Sequence, residues 1–526
     1  MTTTTTRFKV FANLYKDSVT LMQLGAQLRQ REGIAQASCL MATPANLAQL
    51  PAADLSIDTP ASPSDLLVVV RGDPNACEEA IEAAEATLLA RGAAGDGDAA
   101  AFSLPLTSIA LGVEHNPGAD LALISVPGDY AAAEAMKALA LGLHVMLFSD
   151  NVSIAEERVI KTAARAKNLL VMGPDCGTAI VNGVPLGFAN VVRRGAIGLV
   201  AASGTGLQEV TCRIHNLGGG ISQALGTGGR DLKEEIGGIT MLQGLAALAA
   251  DRETHVIVLI SKPPSPTIAR QIEAAAGAAG KPVVMHFLGA NRERLPAGLF
   301  AAASLRHAAD MAVALARGEP APATAEMPAD DATLAVERFA AAMASTQSAV
   351  RALFTGGTFC YEAQLAFIAR GLPCSSNAPA KGAMPFDGRF DGHVFLDLGD
   401  DDYTRGRPHP MIDPTLRDAA VRAQGADPQT AAILFDVVLG FGSHENPAGG
   451  LAQALADARR EALAQGRTLA LIGHVCGTDS DPQDKAAQVR QLEAAGALVV
   501  GSNVEAAWLA AHLATRLATR AAARRG

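Results

Sequence analysis

The stretch AIGLVAASGTGLQEV (196–210) returns as VRALFTGGTFCYEA (350–363). Each reads as a short apolar strand, a small-residue turn containing Gly-Thr, and a helix opening with a glutamate. The segments that follow repeat in the same order. DRETHVIVLISKPP (251–264) pairs with DPQTAAILFDVVLG (427–440), GKPVVMHFLG (280–289) with GRTLALIGHVCG (466–477), and SLRHAADMA (304–312) with SNVEAAWLA (502–510). The offset grows from 153 (201 against 354) to 198 (304 against 502), so the second copy carries longer loops. Strands alternating with helices of this length pair in parallel. Repetition of the whole order predicts one α/β module used twice.

The rest of the 526 residues is organised around that duplication. FKVFAN, DSVTLMQLGAQLRQREG, ASCLMA, DLLVVVRG and CEEAIEAAEATLLARG predict a ferredoxin-like α/β unit over 1–100, ending in the linker RGAAGDGDAA (91–100). DLALISVPG, HVMLFSD and LLVMGPD predict a Rossmann-like, doubly wound unit over 101–194. The two repeated, flavodoxin-like modules then occupy 195–318 and 332–526, joined by EPAPATAEMPADD (319–331). A net charge of −10 with no basic block argues against nucleic acid. The longest apolar runs are strand-length, which argues against a membrane span. MTTTTTRFKVF lacks the apolar segment of a secretion signal. Seven scattered cysteines with no CxxC pair suit a reducing compartment and offer no zinc site. A cytoplasmic α/β enzyme without a metal is the expectation.

In an open parallel sheet, ligands bind beyond the carboxyl ends of the strands. Helix N-termini there present unpaired N–H groups and partial positive charge, a combination that holds anions. Ser203, Gly204, Thr205 and Gly206 form such a corner, and Gly356, Gly357 and Thr358 its counterpart. An ordinary capped helix start is the alternative. No GxxxxGK[ST] or GxGxxG fingerprint occurs at either place. The loop LDLGDDDYTRGRPHPMIDP (396–414) offers Arg405, Arg407 and His409 for a carboxylate, against a surface ion-pair reading. GFGSHENP (440–447) brings Gly442, Ser443 and His444 to another strand end. Lys262 ends the strand HVIVLI and belongs at the mouth of the site. Cys176 and Cys360 lack a base nearby in sequence, so covalent thiol chemistry is not expected.

These residues resemble the succinyl-CoA synthetase superfamily. MGPDCGT (172–178) is similar to its GPNC turn, SGTGLQEV to its SGT helix, and GFGSHENP to the glycine-rich phosphate corner of its other subunit. Within that superfamily the chain resembles the FdrA family almost end to end, through KDSVTLM (16–22), MATPAN (41–46), SDNV (149–152), GGRDL (228–232), SKPP (261–264), TGGT (355–358) and GRPHPMIDPTLR (406–417). The resemblance implies a CoA-binding-type domain at 101–194 and CoA-ligase-type domains at 195–318 and 332–526. It also implies one subunit of an oxamate carbamoyltransferase of allantoin and purine breakdown, turning oxalurate and phosphate into oxamate and carbamoyl phosphate. Phosphate and a small carboxylate or ureido substrate would be its ligands, and further subunits its partners. Two readings stand beside this one: an acyl-CoA synthetase of the succinyl-CoA synthetase type, and a non-catalytic metabolite-binding subunit. CoA or a nucleotide would be the cofactors of the first.

Three departures bear on mechanism. The synthetases' phosphohistidine loop reads GANRERLPAG (289–298) here, without histidine. The glutamate that supports that histidine falls at Lys262. The glycine-rich CoA loop is replaced by the ferredoxin-like unit, and no ATP-grasp domain is present. On this resemblance Lys262 and His409 are the catalytic candidates, with phosphate held directly rather than passed to an imidazole.

Overall fold

The strand Leu66–Gly72 is apolar on both faces, and both faces are buried. Leu66, Val68 and Val70 pack with Leu21, Leu24, Leu28, Ala80, Ala84 and Leu88 from the helices Ser18–Arg29 and Pro74–Leu89. Leu67 and Val69 meet Leu50, Ala53 and Leu55, so the 3-10 turn Leu50–Ala53 and the residues after it cover the face opposite the helices. The strand lies between Thr5–Phe11 and Ile34–Met41, antiparallel to each. This N-terminal α/β unit agrees with the expected ferredoxin-like class; its sheet has three strands among the described residues. The computed structural model describes residues 4–16, 18–55, 57, 61–89, 106–290, 295–323, 328–404 and 408–524. The linker 91–100 and the centres of the 289–298 and 319–331 segments lie outside them.

A second sheet has the order Leu121–Ile124, His144–Leu147, Val171–Met172, with the first two parallel and the helices Gly128–Ala140 and Ile154–Ala166 packed on it. The chain divides into two compact units, Met1–Val171 with Asp401–Asp413, and Met172–Asp400 with Pro414–Gly526. Asp413 therefore belongs with the N-terminal half, where Arg29 Nη1 donates to its carboxylate at 2.5 Å.

The second unit contains the duplication. One seven-stranded sheet runs Leu299–Ala301, Val283–Phe287, Val256–Ser261, Arg194–Ala202, Ile221–Gly226, then the hairpin Thr178–Val181 and Val184–Gly187. The other runs Leu498–Val500, Ala470–Cys476, Thr430–Val438, Ala349–Phe354, His393–Asp397, then Cys374–Ser376 and Met384–Pro385. The first five strands of each follow the same order, and all are parallel. Their continuous apolar runs, such as VIVLIS and TAAILFDVV, fit strands covered on both faces. The hairpin at 178–187, read from sequence as part of the 101–194 unit, pairs antiparallel with Ile221–Gly226 instead. Among the described residues no helix is long and apolar enough to cross a membrane.

Candidate functional site

The two repeated corners meet. Ser203 Oγ and Thr358 Oγ1 lie 2.5 Å apart, within hydrogen-bond reach. The Thr205 methyl sits over Gly356 so closely that a β-carbon there would be 2.9 Å from it. Ser203, Gly204, Thr205, Gly206, Gly356, Gly357 and Thr358 are thus gathered at the N-termini of the helices Gly204–Asn216 and Gly357–Ile368.

The corners differ in what fills them. Ser203 Oγ caps the first helix by accepting from Gly206 N at 3.0 Å. The Gly204 and Thr205 N–H groups have no intrahelical acceptor at these positions. Level with Ala201 the neighbouring strands carry Gly226 and Ile260, whose side chains have no acceptor, and the Ser261 hydroxyl that follows donates to Lys262 O. In the second copy the equivalent positions are Asp397 and Asp436. Asp436 accepts from Thr355 N at 2.7 Å, Gly356 N at 2.8 Å and Thr355 Oγ1. Asp397 Oδ2 lies where a Gly357 β-carbon would be only 2.3 Å away. One corner is therefore open to an external anion, and the other is occupied by the chain's own carboxylates. Burial pushes the Asp397 carboxyl up to about 7, opposed by Lys262 and reinforced by Asp400 and Asp436. Lys262 is exposed, with Nζ 5.6 Å from the Tyr361 ring centroid on the second helix.

This asymmetry predicts different outcomes for two matched substitutions. A β-carbon on Gly204 would meet only Thr178 Oγ1, at 3.5 Å, so Gly204→Ala should fold normally while hindering anion approach. Gly357→Ala should lose about 1–3 kcal/mol, because overpacking must displace the Asp397 carboxylate. Urea midpoints and phosphate titration of both variants check this. Gly357, placed by sequence in a counterpart anion corner, faces the chain's own Asp397 carboxylate.

A buried charge cluster lies one turn deeper. Glu209 on the first helix pairs with His474 of the second module, Oε2 to Nε2 at 2.8 Å. His474 Nδ1 faces the Val500 carbonyl at 3.1 Å. Both ring nitrogens thus face acceptors, an arrangement an imidazolium satisfies fully. Burial would push Glu209 up, but His474 and Lys485 outweigh it and hold the carboxyl below its usual range. Glu362, the counterpart on the second helix, accepts instead from Leu305 N at 3.0 Å and Asn503 Nδ2 at 2.8 Å. Burial pushes it up to about 7 from 4.5 despite those bonds, with the Glu209 charge adding to the effect. His286 is the counterpart of His474; its Nδ1 faces Ala302 O at 2.9 Å, and Nε2 is buried without a partner among the described residues. The duplication has kept both histidines and paired one of them.

The raised Glu362 carboxyl gives a pH signature. Its neutral form, which the fold prefers, is fully present below 4.5, and that contribution is lost as pH rises through about 7. Glu362→Gln should therefore be more stable than the parent by roughly 3 kcal/mol at about pH 8. The two should converge by about pH 4.5, as thermal melts at the two pH values would report.

The 440–443 turn packs on the 187–190 loop, where a Gly442 β-carbon would be 2.8 Å from the Phe188 ring. Ser443 Oγ is buried without a partner among the described residues. His444 Nδ1 accepts from Asn446 N at 3.0 Å, as a loop residue organising the next helix start. His409 belongs to the first unit, is half-buried, and accepts from Met411 N at 3.2 Å. Desolvation pushes its imidazole down to about 4, so at neutral pH it brings no positive charge to a carboxylate. Arg405 and Arg407 lie outside the described residues. Cys176 is buried and donates to Thr178 O, and burial pushes the Cys360 thiol far up, so both are inert. Asp397, Asp436, Glu209, His474 and Glu362 were not among the sequence candidates. The available signal was a charged residue inside an apolar strand, as in ILFDVVL and LIGHVC.

Comparison with known families gives three matches: "CoA-ligase" over residues 353–513, "CoA binding domain" over 193–289, and "AllF, heavy metal-associated domain" over 1–102. The uncharacterized protein YahF of Escherichia coli (strain K12) is 41% identical over 95% of this chain and 96% of its own length. The succinate–CoA ligase [ADP-forming] subunit alpha of Aquifex aeolicus (strain VF5) is 26% identical over 32% of this chain and 56% of its own length. This chain thus spans about half of that subunit. A solved structure, the dinucleotide-forming acetyl-coenzyme A synthetase 1 of Ca. Korarchaeum cryptofilum in its apo form, aligns at 16% identity over 77% of this chain and 85% of that one, with TM-score 0.31. The expected carbamoyltransferase activity, and with it the place in allantoin and purine breakdown, is overturned by these matches. The families and the ligase relative are of CoA-ligase type. A heavy metal does not fit the N-terminal unit. Its two thiols, Cys39 and Cys77, are buried in the apolar core, with Cys39 pushed up to about 12 by burial. No metal-holding group of His, Cys, Asp or Glu occurs among the described residues.

Proposed function

From the premise that this chain belongs to the YahF family, within the succinyl-CoA synthetase-like superfamily, we propose that it is an acid–thiol ligase-type enzyme that transfers an acyl group between a thiol and phosphate. The end-to-end motifs from KDSVTLM to GRPHPMIDPTLR support the finer placement as an FdrA-type member. The observation that carries the reading is the open first corner opposite a second corner filled by Asp397 and Asp436, with Lys262 beside them. A phosphate fits the Gly204 and Thr205 N–H groups and the first helix dipole. Its charge is offset by Lys262, which stands where the synthetases carry a glutamate. A phosphate oxygen attacks the acyl carbonyl, the C–S bond breaks, and an acyl phosphate and a thiol result. Holding both reactants at one pair of helix ends removes much of the entropic barrier. In this reading further subunits supply the nucleotide-dependent half.

The test is thiol release from a panel of acyl-CoA thioesters by the purified chain, with and without inorganic phosphate. The acyl phosphate is trapped with hydroxylamine. Phosphate-dependent thiol release with a matching hydroxamate is expected. Thiol release that ignores phosphate for every thioester in the panel overturns the reading.

A further inference from the structure

Asp397 ends the strand His393–Asp397 at the mouth of the second corner. Its side chain is 6% exposed. Oδ1 accepts from Gly399 N at 3.0 Å, whereas Oδ2 accepts no hydrogen bond among the described residues and lies against Gly357. A carboxyl this little exposed, with one oxygen unbonded, is costly to charge, and carrying a proton relieves much of that cost. The groups facing it are Lys262 from the first module, Asp400 beyond its own strand, Asp436 on the neighbouring strand, and Cys360 on the corner helix. Desolvation and the two acids favour the protonated carboxyl, and Lys262 opposes them. Asp436 cannot take this role, because both its oxygens are already bonded by Thr355 and Gly356.

We infer that Asp397 is the acid–base residue of the corner, donating its proton to the departing thiolate. The inference rests on the acyl-transfer reading above. As the phosphate oxygen bonds to the carbonyl carbon, the C–S bond breaks and the electron pair leaves on sulfur. Sulfur takes the proton from Asp397 Oδ2, and the carboxylate left behind faces Lys262. Solvent returns the proton before the next turnover, and the reverse reaction uses the carboxylate as base. A carboxyl that titrates close to neutrality suits both directions, since proton transfer is most efficient when donor pKa and working pH are near.

Sulfate is the probe, because it fills an anion site without titrating near neutrality. A dianion beside Asp397 favours the protonated carboxyl, so sulfate binding near pH 7.5 should take up a fraction of a proton. Calorimetric titrations in buffers of different ionisation enthalpy measure that uptake. The parent should bind sulfate with uptake, Asp397→Asn should bind it without uptake, and Lys262→Met should move the uptake to higher pH. Asp397→Asn keeps the Gly399 bond, and Lys262→Met supplies an independent arm should the first variant fold poorly. No sulfate binding by the parent overturns the anion-site reading itself. Binding without uptake, or uptake that persists in Asp397→Asn, overturns the role of Asp397 and leaves the anion site standing.

Discussion

Glu209→Ala should be the most destabilising single substitution of the site, at about 3–5 kcal/mol, because it leaves the buried His474 ring without its carboxylate partner. The pair joins the first corner helix to a strand of the second module, so its loss also loosens the contact that sets one corner against the other. His474→Ala should cost a similar amount, by stranding the carboxylate. Replacing both residues with leucine should recover much of the loss, since removing both charges removes both desolvation penalties. Urea midpoints of the two single variants and the double variant form the decisive cycle. The pH dependence has a definite sign. Glu209 is held below its ordinary 4.5, so the pair's contribution is present above that pH and fades as pH falls through the depressed value. Equal stability of parent and Glu209→Ala at neutral pH would show that the two groups are not a charged pair.

The duplication was legible because burial on both faces leaves little choice of residue. TAAILFDVV and VIVLIS can only be inner parallel strands, and their shared order fixed the equivalence of the modules. The corners were legible for a related reason, since only small residues allow Thr205 to sit on Gly356. The acids were not. Asp436 reads in sequence as a stray polar residue in a strand, and its partners Thr355 and Gly356 lie some eighty residues away, a distance no local pattern encodes. Glu209 and His474 are further apart still, and only the packing of one module on the other brings them together. The charge-rich 401–413 segment was legible only in part, since Arg405 and Arg407 lie outside the described residues. Its density of arginine, aspartate and histidine suggested a substrate loop; of its described residues, Asp413 pairs with Arg29 and His409 is a neutral, locally bonded ring in the first unit. Composition alone does not distinguish charges that serve a ligand from charges that serve the chain.

Lys262→Ala should lower phosphate-dependent acyl transfer by ~100- to 1,000-fold, about 3–4 kcal/mol of transition-state stabilisation. The lysine follows the strand Val256–Ser261, at the sheet end where parallel α/β proteins bind ligands. Its Nζ lies over the Tyr361 ring, and its charge acts on both Asp397 and Cys360. Negative charge grows there twice, first as phosphate enters and again as the tetrahedral oxyanion forms. Lys262→Glu should be worse than alanine, because it repels the anion and stands a third acid beside Asp397 and Asp400. Lys262→Arg should retain part of the rate, since charge is kept while the compact ammonium is exchanged for a planar fork. The fold should be nearly indifferent to all three, because the side chain is exposed and its ring contact is worth roughly 0.5–1 kcal/mol at such a site. Rate and thermal stability therefore separate in these variants, which a misfolded protein cannot imitate. A Lys262→Glu chain that turned over at the parental rate would remove direct phosphate attack from the mechanism. A phosphorylated histidine detected on the chain would put the missing synthetase intermediate back into it.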